Sequence, residues 1–258
     1  MEASSPRAAI DTRRIGEYGH YVAPLSQLAQ DAGELAGVPL EPYLAEAVTI
    51  TRDEQGVHPE EAAMLYLLVR GLRPAAMLET GTFKGYSSAE IARALERNQH
   101  GHLITVDLAP DTGSMVPADL AHRITFHRAT ASEDFSRGLA PSQRFEIFFH
   151  DSLHTFMNTL GELIGFSGHY APGAMIVCHD AEMDYLDDFG VGKAVRLFAA
   201  RLDLPYRILD TTCGLALIKW PDTAAPEALV ALREEYAAMQ ARSRPSLVRR
   251  AARRLLHT

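Results

Sequence analysis

The chain has 258 residues, 47% of them hydrophobic and 22% charged, enough for one sizeable α/β domain with extensions. Its net charge is −8, but the six arginines from Arg242 onward meet no acid, so the remainder carries about −14 and repels a phosphate backbone, against nucleic acid as a partner. The best candidate for a membrane span, Met64 to Val69, is closed by Arg70, far short of the ~20 residues a span needs. The segment Met1 to Arg14 lacks the apolar core of a secretory signal, and the two cysteines, Cys178 and Cys213, have no metal-like spacing. A reducing cytoplasm is the expected location. Three lysines against 22 arginines, with much alanine, is the bias of a GC-rich bacterial genome.

The first ~60 residues read as helices and loops without a strand, with short amphipathic segments at Pro24–Leu35 and Leu40–Val48. Pro59 opens a helix to about Leu72. Strands are then expected at Ala75–Thr80, His102–Leu108, Ile124–Arg128, Phe145–Phe149 and Ala174–Cys178, the last preceded by a Pro172-Gly173 turn. Such continuous apolar runs suit strands buried on both faces of a parallel sheet. Helical stretches at Ser87–Arg97, Pro117–His122, Phe156–Phe166 and Gly192–Arg201 lie between them. Tyr206–Leu209 and Leu215–Trp220 are joined by too few residues for a crossover helix, which predicts an antiparallel hairpin. The fold class is therefore α/β, a Rossmann-like, seven-stranded, mostly parallel sheet with a terminal hairpin, helices on both faces and an N-terminal helical extension. The expected division is 1–58 as a cap, lid or oligomerisation arm, 59–222 as the catalytic domain, and 223–258 as a C-terminal helix with a basic amphipathic tail.

The most informative stretch is Glu79-Thr80-Gly81-Thr82-Phe83-Lys84-Gly85-Tyr86-Ser87, where a strand gives way to a helix at the sheet edge that binds ligands in doubly wound folds. Gly81 permits a tight turn and a close backbone approach, and Gly85 frees the helix start from crowding. The spacing is G-x-x-x-G, not the G-x-G-x-x-G of dinucleotide binders. Glu79 would repel a diphosphate; it could instead attract an ammonium, directly or through water. Asp107 ends the second strand, 26 residues after Gly81, where an acid accepts hydrogen bonds from ribose hydroxyls. Lys84 and Tyr86 also suit plain loop surface.

This stretch resembles the E-x-G-x-x-x-G-x-S signature of class I S-adenosylmethionine-dependent O-methyltransferases, closest to the catechol, caffeoyl-CoA and antibiotic-sugar branch, over roughly Glu60 to Trp220. The resemblance implies that Glu79, Gly81, Gly85 and Ser87 frame the methionine end of the cofactor S-adenosylmethionine, with Thr80, Thr82 and Tyr86 beside them. It places Asp107 and Leu108 at the ribose, Ala131 and Ser132 at adenine, and Asp151 at the cofactor's edge.

Strand four ends in His150-Asp151-Ser152-Leu153-His154 and strand five in Cys178-His179-Asp180, so Asp151, His154, His179 and Asp180 converge on the cofactor edge. A hydroxyl nucleophile needs a base there, or a metal that stabilises its anion. The resemblance implies Asp151, His179 and Asp180 as ligands of a divalent metal (Mg²⁺ or Mn²⁺), His154 as general base, and Asp151 and His179 as further catalytic groups. Leu153 stands where relatives carry a second acid, and metal-free catalysis through His154 or His179 stays open. Asp151 or Ser152 equally suits capping the helix at Phe156, Asp180 suits a turn, and His150 suits the sheet interior. Gly190-Val191-Gly192-Lys193 reads as a helix start. The acidic loop Glu182–Asp188 lines the acceptor pocket or forms a solvated face.

The expected reaction is direct methyl transfer to a hydroxyl of a small molecule: a sugar, polyketide or phenolic metabolite. N-methyl transfer is the nearest alternative. An NAD-binding oxidoreductase is the alternative from another class, opposed by the missing third glycine, by Glu79 and by the hairpin; a catalytically silent binding module is a third. The expected partner is the small-molecule acceptor, with no nucleic acid and no membrane, and the N-terminal segment with Tyr18, His20 and Tyr21 serves as a lid or as the arm of a homodimer.

Overall fold

A computed structural model describes residues 14–15, 19, 21–50, 57–223 and 226–243. Tyr18, His20 and the basic tail after Pro245 lie outside the described residues. The described residues begin with two-residue strands β1 (Arg14–Ile15) and β2 (Tyr21–Val22), paired antiparallel, where the composition predicts no strand. Helices α1 (Leu25–Ala36), α2 (Leu44–Ala47) and α3 (Pro59–Leu72) follow. Pro59 sets the first helical φ of α3, Glu60 and Glu61 occupy its positive end, and every side chain from Glu60 to Val69 is buried, so it is a core helix.

From there the elements alternate: β3 (Ala76–Thr80), α4 (Tyr86–Asn98), β4 (His102–Val106), β5 (Ile124–His127), α5 (Ser132–Gly138), β6 (Phe145–His150), α6 (Phe156–Gly165), β7 (Tyr170–Cys178) and α7 (Val191–Leu202). The chain then forms β8 (Tyr206–Leu209), β9 (Leu215–Lys219) and α8 (Ala228–Ser243). The sheet order is β5-β4-β3-β6-β7-β9-β8, with only β8 and β9 antiparallel to their neighbours. Successive strand residues face opposite layers: Met77 belongs to one apolar cluster with Leu28, Met64 and Leu95, and Leu78 to another with Leu160, Leu163 and Phe198. That two-sided burial is why the strands read as continuous apolar runs. Trp220, the only tryptophan, packs edge-on to Tyr170 and near Phe198, with its backbone N–H donated to the Ala174 carbonyl within β7, on the rim opposite the strand C-termini.

Three boundaries differ from the sequence reading. Pro117–His122 is a turn leading into a short 3₁₀ segment at Ala121–Arg123, because six residues with proline at the front offer little apolar face to pack. Helix α5, which carries the crossover from β5 to β6, went unpredicted; its seven residues are polar except Phe135. Strand β7 begins at Tyr170 and runs through Pro172 and Gly173, where the register against β6 shifts. Gly190 is the N-cap of α7, in accord with the expected helix start. No helix of the described residues is long and apolar enough to cross a membrane.

Candidate active site

Strand order reverses between β3 and β6: the chain winds outward to β4 and β5 on one side and to β6 and β7 on the other. Ligands bind in the crevice such a reversal opens at the strand C-termini. A cavity of about 570 Å³ lies there. Its walls include Thr80, Gly81, Thr82, Gly85, Tyr86 and Ser87 of the glycine loop, Asp107 and Leu108 after β4, and Ala131 and Ser132 before and at the start of α5. Asp151, His154 and Asp180 close its floor.

Gly81 has φ +89°, and a Cβ there would lie 2.0 Å from the carbonyl oxygen of Asp151. Only glycine lets β3 turn this close to β6. Phe83 adopts left-handed φ +45° and its N–H donates to the Asp107 carboxylate at 2.7 Å, so the acid after β4 also shapes the glycine loop. The other Asp107 oxygen accepts the N–H of Ala109 at 2.8 Å.

Glu79 stands beneath the loop rather than in the cavity wall. It is fully buried and accepts hydrogen bonds from Ser87 Oγ (2.6 Å), Thr105 Oγ1 (2.6 Å) and Ser88 Oγ. Burial raises its pKa to about 7 against the lowering effect of those three hydroxyls. These bonds tie β3, β4 and α4 together and hold the loop.

At the floor, His154 Nε2 lies 3.1 Å from Asp180 Oδ2 and 3.4 Å from Asp151 Oδ1, with its ring stacked on Phe189. Burial disfavours the charged imidazole, but the Asp151 hydrogen bond and the Asp180 charge outweigh it and raise its pKa. The Asp151 and Asp180 carboxyls sit below their ordinary values: burial opposes this, and the charge of the neighbouring imidazoles, His179 foremost, prevails. Neither Asp151 nor Ser152 caps α6, whose N-cap is Thr155. Asp180 adopts left-handed φ +60°.

His179, expected as a metal ligand and catalytic group, is buried behind this floor and is absent from the cavity wall. Its Nε2 bonds Glu61 Oε2 at 2.6 Å, and its Nδ1 faces Asp151 Oδ1 (3.2 Å) and Asp180 Oδ1 (3.3 Å) without the geometry of a hydrogen bond to either. The group whose ligand atoms converge on the cavity is Asp151, His154 and Asp180. His150 is fully buried within β6. The acidic loop is held to α7 instead of lining the cavity: Glu182 and Asp184 pair with Arg196, and Asp184 accepts the N–H of Gly192.

Sequence reasoning missed Glu162. Its Oε2 accepts from Thr80 Oγ1 (2.6 Å) and pairs with His150 Nδ1 (2.8 Å); its Oε1 accepts from Ser132 Oγ (2.6 Å) and Ser152 Oγ (2.8 Å). One carboxylate thus ties together the segments around β3, α5 and β6. The available signal was an acid on the buried face of α6 between Leu160 and Leu163. Burial pushes its pKa up, yet the His150 hydrogen bond and charge, with Ser132 and Thr80, bring it down to about 2. A depressed folded value stabilises the protein above pH ~4.5 and is lost as pH falls towards 2. Urea unfolding from pH 5 to 2.5 is expected to show wild type losing up to ~3 kcal/mol more than Glu162→Gln. Parallel pH profiles would remove this role.

Residues 78–181 match a protein-family profile described as a methyltransferase domain. A search of curated proteins finds no match. Among solved structures the chain is similar to the O-methyltransferase TomG from Streptomyces achromogenes, involved in tomaymycin synthesis and in complex with SAM. That likeness has a TM-score of 0.54 and 22% identity and covers 76% of this chain and 96% of that one. Cofactor-bound Rv0187 from MTB gives 0.54 and 19%, over 84% of this chain and 98% of that one. The SAH-bound methyltransferase PaMTH1 from Podospora anserina gives 0.53 and 15%, over 76% and 95%. These likenesses show a shared fold.

Proposed function

We propose that this chain is a class I S-adenosylmethionine-dependent methyltransferase that methylates a hydroxyl of a small molecule, a reading its fold and matched methyltransferase domain support. The observation that carries this reading is the meeting of two parts at one backbone crossing. The glycine loop turns at Gly81 against Asp151, and Asp151 belongs to the acid–imidazole group on the cavity floor. The O-methyltransferase name of TomG supports the choice of a hydroxyl.

S-adenosylmethionine supplies a methyl group that is already electrophilic. The protein's part is then to align the acceptor and take its proton. Gly81 and Gly85 admit the methionine end, Asp107 offers its remaining acceptor capacity to ribose hydroxyls, and Ala131 and Ser132 border the adenine end. Where no cation is bound, His154 Nε2 receives the acceptor's proton, and Asp151 and Asp180 stabilise the resulting imidazolium. The lip carries Phe83, Leu108 and Leu153, all well exposed, which suits an acceptor with an apolar or aromatic face such as a phenol or polyketide.

A divalent cation fits the same floor. Asp151, His154 and Asp180 each offer one ligand atom, all within 4.8 Å of one another. Two hard oxygens with one imidazole suit Mn²⁺, Fe²⁺ or Zn²⁺ alongside Mg²⁺. An ion held there would stabilise the acceptor oxygen as an anion.

Calorimetric titration of chelator-treated protein is the test. S-adenosylhomocysteine is expected to bind at micromolar levels and NADH not at all, with a separate Mn²⁺ or Mg²⁺ heat lost in Asp151→Ala. NADH binding without S-adenosylhomocysteine binding overturns the reading; cofactor binding without a metal heat leaves His154 alone as the base.

A further inference from the structure

Glu61 belongs to the first turn of α3, far along the chain from the strand ends, yet its carboxylate is fully buried against them. All four of its acceptor positions are used. Oε1 accepts Thr211 Oγ1 and the Cys213 N–H, each at 2.8 Å, from the hairpin loop between β8 and β9. Oε2 accepts the His58 N–H at 3.1 Å and meets His179 Nε2 at 2.6 Å. The carboxylate therefore cannot swing, and neither can the imidazole it grips.

The far edge of that imidazole is the unusual part. His179 Nδ1 is completely buried, lacks a hydrogen-bond partner among the described residues, and lies between Asp151 Oδ1 and Asp180 Oδ1. His154 approaches the same two carboxylates from the cavity side. A buried carboxylate–imidazole pair costs desolvation that an apolar pair of similar volume avoids, so folding alone is a poor reason for it. The backbone beyond Asp180 is tied to the same hairpin loop: Ala181 N–H to Gly214 O at 2.9 Å, and Glu182 N–H to Cys213 O at 3.0 Å.

We propose that Glu61 and His179 form a buried relay that sets the Asp151 and Asp180 carboxylates for a divalent cation. His179 is a positioning residue; Asp151, His154 and Asp180 are the ligands. The proposal rests on the cation reading given above. A group behind a ligand fixes its orientation and basicity, and losing it commonly costs ten- to a hundredfold in metal affinity. The relay also gives helix α3 and the terminal hairpin loop a direct hold on the site.

Mn²⁺ is titrated into chelator-treated full-length wild type, Asp151→Ala, Glu61→Gln and His179→Asn, each saturated with S-adenosylhomocysteine. Glu61→Gln and His179→Asn are expected to bind Mn²⁺ about tenfold or more weakly, with S-adenosylhomocysteine affinity within about twofold of wild type. A variant that no longer binds S-adenosylhomocysteine is replaced by Thr211→Val, which removes one donor to Glu61. Electron spin-echo spectra of the Mn²⁺ forms report the ligand itself: nitrogen modulation should persist in His179→Asn and vanish in His154→Gln. Unchanged Mn²⁺ affinity in Glu61→Gln, with binding abolished in Asp151→Ala, overturns the relay alone. Nitrogen modulation lost in His179→Asn makes His179 a ligand and overturns its assignment. No Mn²⁺ binding by wild type overturns the cation reading and the relay with it.

Discussion

Gly81→Ala is expected to lose S-adenosylhomocysteine binding by a hundredfold or more and to destabilise the fold by about 2–5 kcal/mol. Two costs combine. Left-handed backbone at φ +89° disfavours any side chain, and the new methyl would stand 2.0 Å from the Asp151 carbonyl oxygen and 2.4 Å from its carbon. Backbone cannot rotate away as a flexible side chain can, so β3 and β6 must separate where the cavity lies. Because Asp151 moves with its own peptide, the floor group is disturbed together with the cofactor loop. Gly138→Ala is the control: its added methyl meets no atom within 4 Å, and its stability should stay within ~1 kcal/mol of wild type. Urea unfolding with calorimetry measures both variants, and near-normal cofactor affinity in Gly81→Ala would remove the crossing from the account of the site.

The second large effect is expected at His154. His154→Gln should lower turnover by 10²–10⁴-fold while S-adenosylhomocysteine affinity stays within about threefold. The imidazole is about one-third exposed at the cavity, near two carboxylates that raise its proton affinity, and among the described residues makes no hydrogen bond that holds the glycine loop. Glutamine keeps a hydrogen-bonding nitrogen near the same place but takes up no proton at neutral pH. Single-turnover rates across a panel of phenolic, polyketide and sugar acceptors separate this loss from slow product release. Turnover within tenfold of wild type would move the base elsewhere on the floor.

Much of this was legible in the amino-acid order. The five apolar runs, the G-x-x-x-G loop and the short link before the hairpin specify sheet, crevice and terminal antiparallel pair, because strands buried on both faces leave little room for polar residues. Asp151, His154 and Asp180 were legible for a related reason: polar residues that follow such a run without a break emerge at the strand ends. The direction a side chain takes was not legible. Glu79 and Asp107 both end strands, yet one turns beneath the glycine loop and the other into the cavity wall. His179 and Asp180 are neighbours, and only the second reaches the cavity. Glu61 and Glu162 stayed hidden because an acid in the first turn of a helix, or beside leucines on its face, looks the same whether it serves a cap or a buried network. Their partners lie up to 152 residues away in the chain, beyond any local spacing rule.

The single tryptophan lies on the rim of the sheet opposite the cavity, wedged between Tyr170 and Phe198. Its emission therefore reports the packing of the α7 layer and should be nearly blind to what occupies the crevice. Fluorescence melts can be read with ligands present and without optical interference from binding, while a shift in emission on ligand addition would signal strain carried across the full width of the sheet.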